Sequence, residues 1–177
     1  MNFTKNPLPN FVLADLYKNN LFVIDTPQPQ KQTIQPTKSA TLTNHAITFL
    51  GENKKQIIIL VNEENAVHIN DDHFAFLSNI LTACKLNIAD VAIVNVHKQV
   101  INFSRLKEQL NCMYVLLFNV STDAIELPFS IPHYQVQKYN NCTFLSANHL
   151  QTMLGTTQEA KMEKSKLWLS LKQMFGI

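Results

Sequence analysis

The run "QIIILVN" (Gln56–Asn62) constrains this chain more than any other stretch, because it places five apolar residues in a row, four of them β-branched. A strand with one wet face alternates apolar and polar residues, whereas an unbroken run belongs to a strand buried on both faces. Such strands need helices above and below them. "DVAIVNV" (Asp90–Val96) and "MYVLLFNV" (Met113–Val120) repeat the pattern. Between the first pair, Phe74, Leu77, Ile80, Leu81 and Cys84 share one face of a helix that Asp71 or Asp72 is expected to cap. Between the second pair lies a shorter helix, "FSRLKEQLN". Strands alternating with helices predict an α/β fold, a three-layer α/β/α sandwich with a mainly parallel four-stranded sheet. Irregular chain around Pro128 and Pro132 leads to "YQVQKYNNCTFLSA", which supplies one or two more strands. A last helix, about Thr157 to Phe175, is expected to bury Leu167, Trp168, Leu171 and Phe175 and to expose Lys161, Lys164, Lys166 and Lys172.

With 177 residues, 46% of them hydrophobic, the chain supports one domain with a substantial core, placed at residues 47–177. Residues 26–46 carry Pro, Gln and Thr without apolar periodicity and read as a polar linker. Ahead of it, residues 1–25 read as a helix followed by an extended arm, with Phe11, Leu16, Tyr17, Leu21 and Phe22 available to fill a partner's groove or to fold back. Charged residues are 16% of the chain and the formal net charge is +2, so direct nucleic-acid binding is expected to be weak or absent. Cys84, Cys112 and Cys142 are odd in number and lack metal-ligand spacing, which predicts buried, reduced thiols and no disulfide framework. No leader pattern and no long apolar stretch is evident, so a soluble, cytoplasmic chain is expected.

In open α/β sheets, ligands bind beyond the carboxyl ends of the strands. Here those ends lead into "NEENAVHINDD" after the first strand and into Asn95, His97 and Lys98 after the second. Glu63 and Glu64 read as solvated loop charges, because adjacent side chains point apart and no partner base accompanies them. His68, Asp71, Asp72 and His73 could hold a metal, but helix capping is the simpler account, and no metal or other cofactor is expected. His97 is read as satisfying backbone groups at a strand end.

Two stretches carry a family resemblance. "IIILVNEENAVHINDDHFAFLSNILTACKLNIADVAIVNVHK" resembles the first β-α-β unit of the uracil-DNA glycosylase superfamily, and "CTFLSANHLQTMLGTTQEAKMEKSKLWLSLKQMF" resembles the region where those enzymes carry a His-Pro-Ser segment and a last helix. The resemblance implies a glycosylase-like sheet of strand order 2-1-3-4. It also implies a crevice formed by Asn62, Glu63, Asn65, Asn95, Asn119, Ser146 and His149. The family's Gly-Glu-Ala-Pro-Gly turn is replaced by Asn62, Glu63, Glu64, Asn65 and Ala66, and "LSANH" stands in place of His-Pro-Ser. A glycosylase must hold and polarise an extruded base, so the crevice is read as vestigial, with no catalytic residue.

A glycosylase-type fold with an eroded site resembles the psi-subunit family of bacterial DNA polymerase III. In that family a mobile amino-terminal segment docks on the clamp loader. The resemblance implies a non-catalytic protein connector in DNA replication, with clamp-loader subunits as partners. Two rival readings stand beside it: a divergent base-recognising enzyme using Glu63, Asn95 and His149, and an unrelated α/β domain lacking the 2-1-3-4 order.

Overall fold

The computed structural model describes residues 46–177. The amino-terminal arm and most of the linker, and with them Phe11, Leu16, Tyr17, Leu21 and Phe22, lie outside the described residues. Residues 46–177 form an α/β domain whose strands are β1 (Leu50–Gly51), β2 (Ile57–Val61), β3 (Val91–Asn95), β4 (Tyr114–Phe118), β5 (Val136–Tyr139) and β6 (Cys142–Ala147). Its helices are α1 (Asp71–Ala83), α2 (Phe103–Leu110), α3 (Gln151–Leu154) and α4 (Gln158–Phe175).

The strands form one mixed sheet in the order β1-β3-β2-β4-β6-β5. β2 runs parallel to β3 and to β4, with Ile57 level with both Val91 and Tyr114, and β4 runs parallel to β6. Among these four inner strands, counted along the chain, the spatial order is 2-1-3-4. The expectation of four strands is corrected to six, because an antiparallel strand closes each edge: β1 against β3, and β5 against β6.

Both edge strands rest on local backbone geometry that apolar periodicity does not register. β1 is two residues long and is fixed by Gly51, whose φ is +109°. A Cβ at this position would lie 2.1 Å from the Val91 carbonyl oxygen, so only glycine lets the strand approach β3. β5 and β6 are joined through Asn140 and Asn141, with φ of 48° and 62°, the paired left-handed residues of a two-residue hairpin turn.

The sheet divides the core in two. Ile58, Leu60, Ala92, Val94, Val115, Leu117 and Phe144 face α2 and the loop carrying Ile125, Leu127 and Ile131. Ile57, Ile59, Val61, Val91, Ile93, Leu116 and Leu145 face the residues of α1, α3 and α4, including Leu77, Leu81, Met153, Leu167 and Leu171. Every residue of β2 is buried, as the unbroken apolar run predicts. Each such side chain contributes about 1.5–3 kcal/mol relative to exposure, which makes β2 the centre of the fold.

Two expectations about the helices are corrected. The amino-terminal cap of α1 is Asn70, whose side chain accepts from the His73 amide at 2.8 Å. Asp71 and Asp72 instead occupy the first turn, where carboxylates meet the positive end of the helix dipole. In α4 the inward stripe is Leu167, Leu171 and Met174, and Trp168 lies beside it with 37% of its surface exposed rather than in the core. Phe175 is half-buried against Tyr114, ring centroids 5.2 Å apart. Of the four lysines, Lys161, Lys166 and Lys172 are exposed, whereas Lys164 is half-buried over the Phe76 ring.

No helix among the described residues is long and apolar enough to cross a membrane.

Candidate functional site

Because β2, β3, β4 and β6 are parallel, their carboxyl ends deliver Asn62, Val96, Asn119 and Asn148 to one edge of the sheet. The chain leaves β2 toward β3 and leaves β4 toward β6, so the connections diverge between β2 and β4. A cavity opens at such divergence points in α/β sheets. Here it has a volume of about 480 Å³ and is lined by Asn62, Asn119, Thr122, His133 and Ser146 among others.

Asn119 shapes its floor. Its φ is 54°, a left-handed conformation that asparagine tolerates far better than branched residues, and its amide donates to the Ala147 carbonyl at 3.1 Å. Ser146 is buried, its hydroxyl 3.2 Å from His133 Nδ1. Among the described residues that line the cavity there is no carboxylate, lysine or arginine. Amides, hydroxyls and one imidazole can hydrogen-bond a neutral polar ligand. For nucleophilic chemistry His133 would need a third group to orient its ring, and among the described residues Ser146 is its sole hydrogen-bond partner.

The other half of the rim is filled. Asn95 is fully buried and its amide ties the β2–α1 turn together. Its oxygen accepts from the Glu63 amide at 3.0 Å and the His97 amide at 3.1 Å. Its nitrogen donates to the carbonyls of Glu63 at 2.8 Å and Ala66 at 2.9 Å. Asn95 therefore supplies the turn with the hydrogen bonds that glycines and a proline do not organise here.

Glu63 is 8% exposed, which corrects its reading as a solvated loop charge, while Glu64 is exposed. Its carboxylate meets His73 Nδ1 through one oxygen and Asn70 Nδ2, at 3.4 Å, through the other. His73 is 2% exposed, and its Nε2 lies 3.1 Å from the Gln151 side-chain oxygen. The His149 ring packs edge-on to His73 at 5.3 Å, and its Nδ1 accepts from the Gln151 amide. The buried pair Glu63 and His73 thus forms, with the more exposed Asn70 and Gln151, a polar knot joining the β2 turn to α1 and α3.

The expected crevice residues therefore separate. Asn62, Asn119 and Ser146 share the cavity. Glu63 and Asn95 sit inside the turn, His149 packs on the knot, and Asn65 is exposed in a bend. Neither Glu63, Asn95 nor His149 lines the cavity. The His97 backbone amide donates to the Asn95 side chain, and its ring stands 3.2 Å from the Asn62 side-chain oxygen rather than on a backbone group.

Two central residues escape the sequence reading. His73 had a usable signal: with Leu77 and Leu81 it occupies the buried stripe of α1 at i, i+4 and i+8, so it faces the core. His133 carries no comparable signal, because it follows Pro132 in chain without periodicity. Among the described residues, no group of three or more His, Cys, Asp and Glu is placed to hold a metal ion.

A third cluster adjoins His133 of the cavity lining. Next to His133, the Tyr134 hydroxyl donates to Glu163 of α4, and Asn148 Nδ2 donates to the same carboxylate oxygen at 2.7 Å. Lys166 holds the other oxygen at 2.8 Å. The Lys166 and Tyr134 hydrogen bonds hold the Glu163 carboxyl well below its usual value, at about 2. Burial, followed by the bond to Glu163, pushes the Tyr134 hydroxyl up.

No family model matches the chain, and no curated protein matches it in sequence.

Proposed function

We propose that this chain is a non-catalytic protein connector on a uracil-DNA glycosylase-type scaffold, acting as psi subunits do within the clamp-loader assembly of DNA polymerase III. The observation that carries the reading is the state of Glu63. Its carboxylate is buried against His73 and Asn70, away from the cavity, where it has no access to an extruded base. Asn95 and His149, the other groups a divergent glycosylase would need, are likewise engaged in the turn and on the knot. The 2-1-3-4 order of the inner strands supports the scaffold part of the proposal.

One observation favours the rival reading of a base-recognising protein: the cavity is open, and its amide and hydroxyl lining suits a neutral heterocycle. Incubation with uracil-containing single-stranded DNA separates the two, with no abasic sites expected. Uracil release that is lost in Glu63→Gln would overturn the connector reading. Affinity purification of the full chain from its native cell is expected to bring down replication proteins, and Leu16→Ala with Leu21→Ala should abolish capture while the domain stays folded.

A further inference from the structure

Cys112 and Cys142 are distant in sequence, and the fold brings their sulfurs to 3.1 Å. Cys112 lies between the left-handed cap of α2, Asn111, and the start of β4, while Cys142 opens β6 directly after the Asn140–Asn141 turn. Both thiols belong to the α2 side of the sheet, with Leu110, Val115 and Phe144, and Cys142 Sγ is 2.8 Å from the Cys112 carbonyl oxygen. Lys107 Nζ spans the same region, donating to the Asn140 carbonyl at 2.9 Å and its side-chain oxygen at 2.6 Å. Cys84 belongs to the core on the opposite side of the sheet.

We propose that Cys112 and Cys142 are a built thiol pair that closes into an intrachain disulfide by exchange with a low-molecular-weight disulfide, clamping the start of β6 to the start of β4. Closing the pair needs the sulfurs to approach by about 1 Å, to a bond of about 2.0 Å. In the first step a cysteine thiolate attacks one sulfur of the small disulfide, forming a mixed disulfide and releasing one small thiolate, which takes up the proton. The second cysteine, as thiolate, then attacks the protein sulfur of that mixed disulfide and releases the second small thiol. The two cysteines give up two protons and two electrons, and the small disulfide receives them as two thiols.

Burial sets the rate. Cys112 is 6% exposed and Cys142 1%. Burial, and then the hydrogen bond to Cys142, push the Cys112 thiol up to about 12, so little thiolate exists at neutral pH. Exchange therefore requires local opening around the pair, whose chain neighbours Asn111 and Asn140 line a surface hollow with Lys107.

The test uses the full chain, incubated natively with oxidised glutathione, denatured in N-ethylmaleimide, digested without reduction and read by mass spectrometry. The expected product is a peptide pair joined through Cys112 and Cys142, two hydrogens lighter than the sum of its parts, with Cys84 carrying maleimide. Repeating the oxidation in concentrated urea should lower the share of this pair several-fold relative to pairs containing Cys84. Cys142→Ser should instead retain glutathione on Cys112. Maleimide on all three cysteines after native incubation, or the same mixture of pairs with and without urea, overturns the proposal.

Discussion

The two halves of the sheet's carboxyl edge have been put to different uses. Beyond the ends of β2 and β3, Glu63, His73 and Asn95 are buried and bond their neighbours, with Asn70 and Gln151 closing a knot beside the Asn95 staple. At the ends of β4 and β6, similar residue types surround a cavity of about 480 Å³, to which β2 and β3 add only Asn62 and Val96. An α/β fold offers the same crevice position to any function. Whether chemistry can happen there depends on whether the carboxylate and imidazole face the ligand or face each other. In this chain the acid and its histidine face each other, and the side that stays open holds amides, hydroxyls and the His133 imidazole.

The comparison breaks first at the knot if it is mistaken. His73→Leu leaves the buried Glu63 carboxylate without its principal partner, and should cost about 3–5 kcal/mol in urea unfolding. Adding Glu63→Gln should recover part of that loss, because the stranded charge disappears. A cost below about 1 kcal/mol for the single variant would mean that Glu63 reaches water, and the turn would then be available for acid–base work. Next in size is Asn95→Ala, which leaves the Glu63 amide and the carbonyls of Glu63 and Ala66 without this partner. A loss of about 2–4 kcal/mol is expected from equilibrium unfolding. On the open side the effects shrink. Asn119→Gly should stay within about 0.5 kcal/mol, whereas Asn119→Val, forced to a φ of 54°, should cost about 1–2 kcal/mol by thermal melts.

That difference between the two halves was only partly legible in the sequence. The buried strands and the faces of α1, α2 and α4 are encoded by period, a local property, and β2, β3 and β4 fall inside the apolar runs that announce them. Trp168 shows where period stops helping: it is adjacent to the stripe of Leu167 and Leu171, yet it stays partly exposed. β1 depends on a close approach of Gly51 to Val91, a contact across 40 residues that composition does not announce. In the crevice, the residues Asn62, Asn119 and Ser146 are strand ends, and strand ends of parallel neighbours must converge. Glu63 is different, because its fate is set by the rotation of α1, which turns His73 inward. Weighing His73 only as a possible metal ligand, beside caps expected at Asp71 or Asp72, gives it no place on the inward face of the helix and misses that rotation.

The smallest effect concerns the segment carrying His133, and it is read through pH. Tyr134, next to His133 of the cavity lining, is tied to α4 through Glu163, whose carboxyl is held at about 2 against an ordinary value of 4.5. A carboxyl lowered on folding binds its proton more readily in the unfolded chain, so its stabilisation is complete above about pH 4.5 and declines as pH falls toward 2. Glu163→Gln keeps the side chain's size but removes this proton linkage, so stability followed from pH 5 down to pH 2 should fall less steeply than in the parent. If the two slopes coincide, Glu163 does not anchor Tyr134 through its charge. Tyr134 would then be held to α4 by the Ser170 hydroxyl on its carbonyl, at 2.7 Å, and the segment carrying His133 would owe its place to α4 packing rather than to this ionic brace.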